Sequence, residues 1–259
     1  MGSPLRQVLV LGLLALLLST AGCGDDDDDT GGGDADADSD SDADADSDAD
    51  ADTDADADAD ADADGDGDAA LLAALTALTS SCNILPGTSP FATDEGEPDT
   101  VDICQLDGAL FWRSDMDIDC DGGRSAICQG DPSYLPETSA TDSQGEPLDA
   151  STLPFAVVPL PSNGFDYVAE DIHLGAVVAV LYDGQLEVGV FGDEGPEGII
   201  GEASYALAER MGVDPDPVTG GADGGATFIV LTGADAVVDP IESHDAAVAL
   251  GRARLALLR

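Results

Sequence analysis

Two apolar runs joined by a tight turn dominate residues 176–204, which read AVVAVLYDGQLEVGVFGDEGPEGIIGEAS. Asp183-Gly184 between the runs is typical of a two-residue β-hairpin, because both central residues of that turn need positive φ. The second run ends in Asp193, and Glu202 follows after a Gly- and Pro-containing loop, where we expect a helix over residues 202–211 to begin. The stretch therefore predicts a hairpin and loop that bring two carboxylates to one cleft.

The rest of the chain favours the same β-rich architecture. Runs of strand-forming residues are bounded by Gly, Pro, Asp and Asn at 109–112, 155–160, 176–182, 185–191 and 226–231. Two more helices are expected, at 69–81 and 246–258. Long Pro-, Gly- and Asp-rich loops at 129–153 and 212–225 suggest a functional rim. We expect one mainly β domain with a few helices over residues 69–259.

Charge excludes several function classes. The chain carries 55 acidic residues against seven basic ones, all arginine, for a formal charge of −48. A nucleic-acid binder needs a basic face to neutralise phosphates, and docking on anionic lipid heads by charge needs basic clusters. Residues 69–259 alone hold a net charge of −26, which favours a cationic partner and no nucleic acid.

The N-terminus is typical of an export signal. Arg6 precedes an apolar run over residues 8–18, which is shorter than the roughly 20 residues that a membrane-spanning helix needs. Small residues then lead to Cys23, and the pattern resembles a bacterial lipobox, in which that cysteine is lipidated and becomes the first mature residue. We expect residues 1–22 to be a signal peptide and Cys23 a membrane anchor. Gly24 after the cysteine favours the outer membrane or cell surface.

Residues 23–68 comprise the lipidated cysteine and an expected disordered spacer. Aspartate occupies 25–29 and then every second position from Asp34 to Asp68. Like charges at that spacing repel one another, and almost no apolar bulk offsets the entropy of ordering. Weak Ca²⁺ binding through Asp62, Asp64 and Asp66 is the alternative, although no rigid loop organises these ligands.

The cysteines indicate disulfides. Setting Cys23 aside leaves four, an even number that suits an oxidising compartment, and sequence proximity favours Cys82 with Cys104 and Cys120 with Cys128. A zinc site is disfavoured because none of the spacings has two residues between cysteines.

An acidic row precedes the last pair of cysteines. On a strand, Asp115, Asp117 and Asp119 would share one face, with Met116 and Ile118 on the other. Three like charges on one face persist more easily when a cation binds there. On a loop, Asp117, Asp119 and Asp121 would begin a Ca²⁺ site, but its twelfth position is Cys128 rather than a bidentate glutamate. A cationic substrate, Ca²⁺ and a plain solvated face remain open at this point.

Asp193 and Glu202 are the candidate catalytic pair. Glycosidic hydrolysis needs a protonated acid at the leaving oxygen and a carboxylate that acts on water or on carbon. A turn role for Asp193 and a helix-dipole role for Glu202 are the structural alternatives. Spacing alone does not decide between these roles.

Several ordered motifs carry a resemblance to a known family. They are residues 115–122 (DMDIDCDG), 131–132 (DP), 138–139 (TS), 153–154 (LP), 188–196 (VGVFGDEGP) and 200–204 (IGEAS). Together they resemble glycoside hydrolase family 75, the fungal-type chitosanases, over about residues 105–250. The resemblance implies endo-cleavage of β-1,4-linked glucosamine in chitosan with inversion, by an Asp and a downstream Glu that map onto Asp193 and Glu202. Asp115, Asp117 and Asp119 are then expected to bind the ammonium groups of the substrate.

A second resemblance concerns the fold. The order of strand, Asp-rich turn, loop, helix and closing strand is similar to the double-psi β-barrel of expansins and lipoprotein lytic transglycosylases. By that analogy Glu202 is the general acid and Asp193 the base that positions water. No metal or organic cofactor is implied, and we expect the chain to act as a monomer.

Other functions compatible with the sequence are a non-catalytic, expansin-like polysaccharide-binding lipoprotein and a Ca²⁺-dependent surface module. A peptidoglycan-cleaving enzyme is a weaker alternative, because an acidic domain has no evident reason to prefer that anionic polymer.

Overall fold

The computed structural model describes residues 63–259. The strands are β1 (Cys104–Leu106), β2 (Ala109–Asp119), β3 (Phe155–Pro159), β4 (Val177–Tyr182), β5 (Gln185–Gly195), β6 (Glu202–Ser204) and β7 (Ala222–Leu231). The α-helices are α1 (Ala63–Leu78), α2 (Tyr205–Arg210) and α3 (His244–Leu255), and short 3₁₀ turns cover Cys128–Gly130 and Ala234–Ala236.

Six of the strands close into a barrel. Their order is β2-β6-β3-β5-β4-β7, and β7 pairs again with β2, while β1 adds to the first residues of β2. The pairs β2–β6 and β3–β5 are parallel and the other barrel pairs are antiparallel. The prediction of a mainly β, barrel-like single domain with a few helices is confirmed.

Successive residues of a strand contribute their side chains to two different apolar clusters. Leu110 and Trp112 enter one cluster, in which the Trp112 ring stacks on Phe228 with centroids 5.6 Å apart. Phe111, between them, enters the other cluster, which also takes in residues of α1 and α3. Because successive side chains of a strand point to opposite faces, the barrel wall is buried on both sides.

The hairpin that the sequence predicts is present. Asp183 and Gly184 have φ of 46° and 75°, and Tyr182 pairs with Gln185 across the turn. Strand β5 continues beyond Phe191 to Gly195, and β2 continues beyond Trp112 to Asp119. The acidic row is therefore part of a strand as far as Asp119.

The expected helix over residues 202–211 is wrong at its beginning. Glu202 to Ser204 form β6, which pairs with β2, and α2 begins only at Tyr205. Ser204 is the reason for the later start, because its hydroxyl caps the helix by accepting the N–H of Leu207 at 3.2 Å. Glu202 is thus a strand residue rather than a first-turn residue.

The terminal helices also differ from expectation. Helix α1 begins at Ala63, six residues inside the expected spacer, and ends at Leu78. Helix α3 begins at His244 because Ser243 caps it by accepting the N–H of Ala246.

The expected disulfides, Cys82–Cys104 and Cys120–Cys128, are both formed. The first ties the segment after α1 to β1, and the second fixes the turn that follows β2. None of the helices in residues 63–259 is both long and apolar enough to cross a membrane. The expected signal peptide, the anchor at Cys23 and the spacer up to residue 62 lie outside the described residues.

Candidate active site

Asp193 and Glu202 line one pocket. Asp193 lies near the end of β5 and Glu202 opens β6, and the pocket between them has a volume of about 280 Å³. Its wall contains both acidic and apolar residues, namely Asp119, Asp121, Leu135, Val157, Leu160, Asp193, Glu194, Gly195, Pro196 and Glu202. The fold thus brings together the two carboxylates that the sequence singled out.

A bulge in β5 positions Asp193. Ala156 of β3 pairs with Phe191, whereas Val157 pairs with Asp193, so Gly192 is the extra residue. Such a bulge re-aims the side chains that follow it. Only glycine fits at position 192, because a Cβ there would lie 2.5 Å from Cγ of Phe155.

Three donors converge on one oxygen of Asp193. Its Oδ1 accepts the backbone N–H of Ser139 at 2.8 Å, the Ser139 hydroxyl at 2.6 Å and the backbone N–H of Glu194 at 2.7 Å. Burial raises the pKa of Asp193, and these hydrogen bonds act in the opposite direction because they favour the ionised form. These bonds hold Oδ1 in place and offset part of the rise in pKa that burial causes.

At the Glu202 carboxyl, burial and neighbouring charges act on the pKa in the same direction. Burial, and then the negative charges of Asp117, Asp121 and Asp193, raise its pKa to about 7. Gly195 allows the close approach of this side chain, since a Cβ at that position would lie 2.8 Å from Oε2 of Glu202. Glu202 therefore retains its proton in neutral solution far more readily than an ordinary glutamate.

Asp119 and Asp121 complete the acidic side of the pocket. Asp119 Oδ1 accepts the N–H of Asp121, and Asp121 Oδ1 accepts the N–H of Leu135, both at 2.7 Å. Burial is the main cause that raises the pKa of Asp119 well above its usual range and that of Asp121 to about 6. Oxygens of Asp119, Asp121 and Asp193 lie within 4.8 Å of one another, and we name these three residues the first acidic cluster.

The structure divides the acidic row that the sequence placed on one face. Asp119 belongs to the first acidic cluster, whereas Asp115 and Asp117 lie with Asp94, again with oxygens within 4.8 Å of one another. The Ca²⁺ loop considered for residues 117–128 is not formed, because Asp117 faces a different cluster from the other two ligands.

Both clusters consist of oxygen ligands, which suit hard cations such as Ca²⁺ or an ammonium group. Among the described residues, these clusters are the groups whose spacing could hold a metal. Burial and the charge of neighbouring aspartates raise the pKa of Asp115 to about 7 and that of Asp117 to about 6.

Sequence reasoning missed four residues of this region. Ser139 and Leu135 come from the loop at 129–153 that the sequence marked as a rim, but no pattern assigned them to Asp193 and Asp121. Asp121 was visible in the acidic motif as a Ca²⁺ ligand and not as a pocket residue. Nothing in the sequence signalled Asp94, which is far from β2 along the chain.

A larger cavity of about 670 Å³ lies beyond Ser139, lined mainly by residues 139–143 and 234–241. It brings together neither the two candidate catalytic carboxylates nor either acidic cluster. The smaller pocket, which contains both carboxylates, is therefore the candidate active site.

Comparisons with known proteins identify the family. Residues 116–252, more than half of the chain, match the family described as fungal chitosanase of glycosyl hydrolase group 75. An endo-chitosanase B of Aspergillus oryzae is 30% identical over 154 residues, which are 52% of this chain and 64% of the relative. An endo-chitosanase of Aspergillus fumigatus is 31% identical over 155 residues, 51% of this chain and 62% of the relative.

An endo-chitosanase C of Aspergillus oryzae is 28% identical over 176 residues, 64% of this chain and 44% of the relative. The chain thus spans less than two thirds of the length of these curated relatives. The matched residues begin in β2 and include the first acidic cluster, Asp193 and Glu202. On this evidence the chain belongs to glycoside hydrolase family 75.

Proposed function

We propose that this chain is an endo-chitosanase that hydrolyses β-1,4 linkages between glucosamine units. The observation that carries the proposal is the contrast between two carboxylates in one pocket. Three hydrogen bonds to one oxygen of Asp193 offset part of the rise in pKa that burial causes there, whereas burial and like charges together raise the pKa of Glu202 to about 7. Glycosidases separate their acid from their base by such differences in environment.

In the proposed reaction Glu202 is the general acid. Its proton moves to the glycosidic oxygen as the bond from that oxygen to the anomeric carbon breaks. Asp193 is the general base, which removes a proton from a water molecule as the water oxygen bonds to the opposite face of the anomeric carbon. The product sugar has the inverted configuration, and proton exchange with solvent restores both carboxyl groups.

The negative charge of the domain supports a cationic polysaccharide as the substrate. Chitosan is a polycation in mildly acidic water, and residues 69–259 carry a net charge of −26. Such a domain attracts a cationic polymer over about a Debye length and raises its local concentration. Within the pocket, Asp119 lies beside Asp193 and is the proposed partner of the ammonium group at the cleaved bond.

The experiment that tests the proposal is release of reducing ends by the purified chain from chitosan, chitin and carboxymethylcellulose. The Glu202→Gln variant, which preserves shape but carries no transferable proton, is measured in parallel. Activity on chitosan that this variant loses supports both the substrate and the residue. A folded chain that binds chitosan but releases no new reducing ends supports the expansin-like alternative. A folded chain that releases no reducing ends from any of the three polymers contradicts the proposal.

We further propose that the chain is an exported, monomeric lipoprotein of the outer membrane or cell surface. Residues 1–22 would be removed, Cys23 lipidated, and the spacer up to residue 62 would hold the domain away from the membrane. The basis is the sequence pattern alone. The test is fractionation: the parent chain should be found with membranes and Cys23→Ala in the soluble exported fraction, and equal distribution of the two would refute the anchor.

A further inference from the structure

The larger cavity, between the loop at 139–143 and the segment at 234–241, takes no part in the proposed chemistry. We name it the distal cavity. Its volume of about 670 Å³ is more than twice the 280 Å³ of the pocket that contains Asp193 and Glu202. Ligand pockets in proteins measure about 300–1,000 Å³, so the distal cavity is of a size that binds a small molecule or a piece of a polymer.

The distal cavity begins beside a catalytic carboxylate. Ser139 lines the cavity and donates its hydroxyl to Asp193 at 2.6 Å. Ala140, which also lines the cavity, donates its N–H to the carbonyl of Gly192 at 3.1 Å. Ser139 is exposed, so the boundary between the cavity and the catalytic pocket lies at the surface of the molecule. A bound polymer can therefore pass from one to the other without displacing buried groups.

Hydrogen bonds across the barrel define the side of Asp193 on which the distal cavity lies. Strand β3 separates β6, which begins with Glu202, from β5, which carries Asp193. On the other side of β5, Gly175 donates its N–H to the carbonyl of Phe191 at 2.8 Å, and Val238 donates to the carbonyl of Gly175 at 2.9 Å. Because Val238 lines the cavity, the cavity continues this row beyond β5, away from Glu202.

The spacing of the row suits a sugar polymer. Hydrogen-bonded strands lie about 4.8 Å apart, which is on the order of the length of one sugar unit in a β-1,4-linked chain. Val238 lies two such steps from β5. A chain that crosses the barrel from Glu202 past Asp193 would therefore reach the distal cavity with its second or third unit beyond Asp193.

We propose that the distal cavity is a subsite for sugar units of the chitosan chain about two units from the cleaved bond, on the Asp193 side. The subsite rests on the proposed function and extends it. It makes the length of the bound chain, in addition to the unit at the catalytic pair, a determinant of affinity.

The apolar part of the lining suits the C–H face of a sugar ring. Its buried members, Ala140 and Val238, are aliphatic, and half-buried Leu174 and Ile241 add further apolar surface. Aliphatic surface of this kind is stabilised when a ring packs on it and removes it from water.

The polar part of the lining is open to sugar hydroxyls. Thr141 and Asp239 are exposed, and neither the hydroxyl of Thr141 nor the carboxylate of Asp239 bonds to another group within residues 63–259. A sugar hydroxyl can donate to either of them and can accept from Thr141. Every unit of the chain carries hydroxyls, whether or not its nitrogen is acetylated, so this subsite recognises the ring rather than its charge.

The test fills the distal cavity with a bulky side chain. Ala234 lines the cavity and is exposed, so Ala234→Trp can occupy the cavity without disturbing the core. Ala249→Trp, at an exposed position of α3, is the matched control. The measurement is kcat/KM for a glucosamine hexamer and for the shortest oligomer that the parent chain cleaves. We expect Ala234→Trp to lower the hexamer value about tenfold and the other value much less, since fewer units of a short oligomer reach the cavity.

Thr141→Val provides a second measurement that preserves the shape of the side chain. The hydroxyl that it removes forms no bond within residues 63–259, so the fold should be retained. We expect KM for the hexamer to rise about fivefold with kcat unchanged, because a hydrogen bond far from the reacting atoms is made equally in the ground state and the transition state. Thr100→Val is the control, since Thr100 is likewise exposed but does not line the cavity.

Equal hexamer values for Ala234→Trp and Ala249→Trp would overturn the proposal. A reduction of the same size for the hexamer and the shortest oligomer would also overturn it, because that effect would act on the catalytic pair. If Ala234→Trp does not fold, Thr141→Val decides, and a KM no higher than that of Thr100→Val rejects the subsite.

Failure of the subsite is distinguishable from failure of the proposed function. Binding of the hexamer is therefore also measured by calorimetry, with each variant in the Glu202→Gln background. Chitosan cleavage by the parent chain, with no effect of Ala234→Trp or Thr141→Val, rejects the subsite alone. Hexamer binding that Ala234→Trp weakens and Ala249→Trp does not, in a parent chain that cleaves nothing, rejects hydrolysis and retains the subsite. Neither cleavage nor binding rejects both.

Discussion

Ser139 donates both its backbone N–H and its hydroxyl to the same oxygen of Asp193, at 2.8 and 2.6 Å. Two donors from one residue restrict the carboxylate in position and rotation, and both stabilise its ionised form. Since Ser139 touches Asp193 rather than substrate, it is a positioning residue. Its hydroxyl also accepts the N–H of Glu194 at 3.2 Å, which joins the loop to the end of β5.

Substitution Ser139→Ala removes one of these donors and leaves the backbone bond. We expect kcat/KM on a glucosamine oligomer to fall about tenfold, because one hydrogen bond to a charged group is lost. The pKa of Asp193 should rise further, so the acidic limb of the kcat/KM profile moves to higher pH. Ser143→Ala is the matched control, since Ser143 donates its hydroxyl to Glu242 in the same loop region. An unmoved acidic limb would contradict the role assigned to Ser139.

The assignment of acid and base can be tested with leaving groups. Glu202→Gln and Asp193→Asn should each lower kcat on chitosan by about 10²–10⁴-fold. Substrates with an activated leaving group need no proton at the departing oxygen, so they should restore turnover to Glu202→Gln and leave Asp193→Asn inactive. Rescue of Asp193→Asn alone would reverse the two roles.

The alkaline limb of the pH profile should follow the titration of the Glu202 carboxyl. Its pKa is raised to about 7, and the acid must be protonated to act, so kcat/KM should decline as pH rises through about 7. Asp117 is the largest charge contribution to this shift after burial. Asp117→Asn should therefore lower the pKa of Glu202 and move the alkaline limb to lower pH.

The shift of the alkaline limb between the parent and Asp117→Asn is more informative than the position of either limb. The amines of the substrate also titrate, but they contribute equally to both enzymes. The measurement is the alkaline limb of kcat/KM for one oligomer with each protein. A limb that stays in place, or moves to higher pH, would show that Asp117 does not act on Glu202.

The sequence predicted the parts of the site that depend on local signals. Asp183-Gly184 fixes a hairpin through its own φ angles, and Asp193 and Glu202 share a pocket because one short loop joins them. The disulfides followed from proximity along the chain. In each case the controlling interaction is close in sequence.

The parts that depend on distant contacts were not predictable in this way. Asp94 reaches β2 only through backbone bonds between Ala92 and the residues before β6. The grouping of Asp115 and Asp117 with Asp94 joins residues that are far apart along the chain. The helical spacing of Ala203, Leu207 and Met211 predicts a helix that includes Glu202. Pairing with Asp117 makes Glu202 a strand residue instead.

Stability should decrease as the acidic groups ionise. The pKa of Asp115 is 3.8 in its ordinary state and about 7 in the fold, and that of Glu202 rises from 4.5 to about 7. Between these values the unfolded chain binds fewer protons than the folded chain, so the free energy of unfolding falls as pH rises from about 4 to 7. The melting temperature should therefore be higher at pH 5 than at pH 8.

Asp115→Asn removes one of these buried charges. At pH 8 we expect its melting temperature to exceed that of the parent by several degrees, since about 1 kcal/mol corresponds to about 2–4 °C in a domain of this size. At pH 5 the difference should shrink, because the parent side chain is then protonated. Asp107→Asn, at an exposed turn, controls for the loss of net charge. A pH-independent difference between the two variants would contradict the shifted pKa.

Gly195 is a position at which a substitution should lower activity much more than stability. A Cβ at this position would lie 2.8 Å from Oε2 of Glu202 and 2.9 Å from Cγ1 of Val157. The carboxylate is the free end of a flexible side chain, so the Gly195→Ala variant can fold by displacing it. A displacement of even about 1 Å at a catalytic group is costly, so we expect kcat/KM to fall by about 10²-fold while the melting temperature changes little.

Gly130→Ala is the control, because a Cβ there would meet nothing within 4 Å. Its activity and melting temperature should match those of the parent. If Gly195→Ala lost stability in proportion to its activity, the contact with Val157 rather than with Glu202 would explain the loss. Retained activity in a stable Gly195→Ala variant would mean that the position of the Glu202 carboxyl is not critical, and it would remove Glu202 from the catalytic pair.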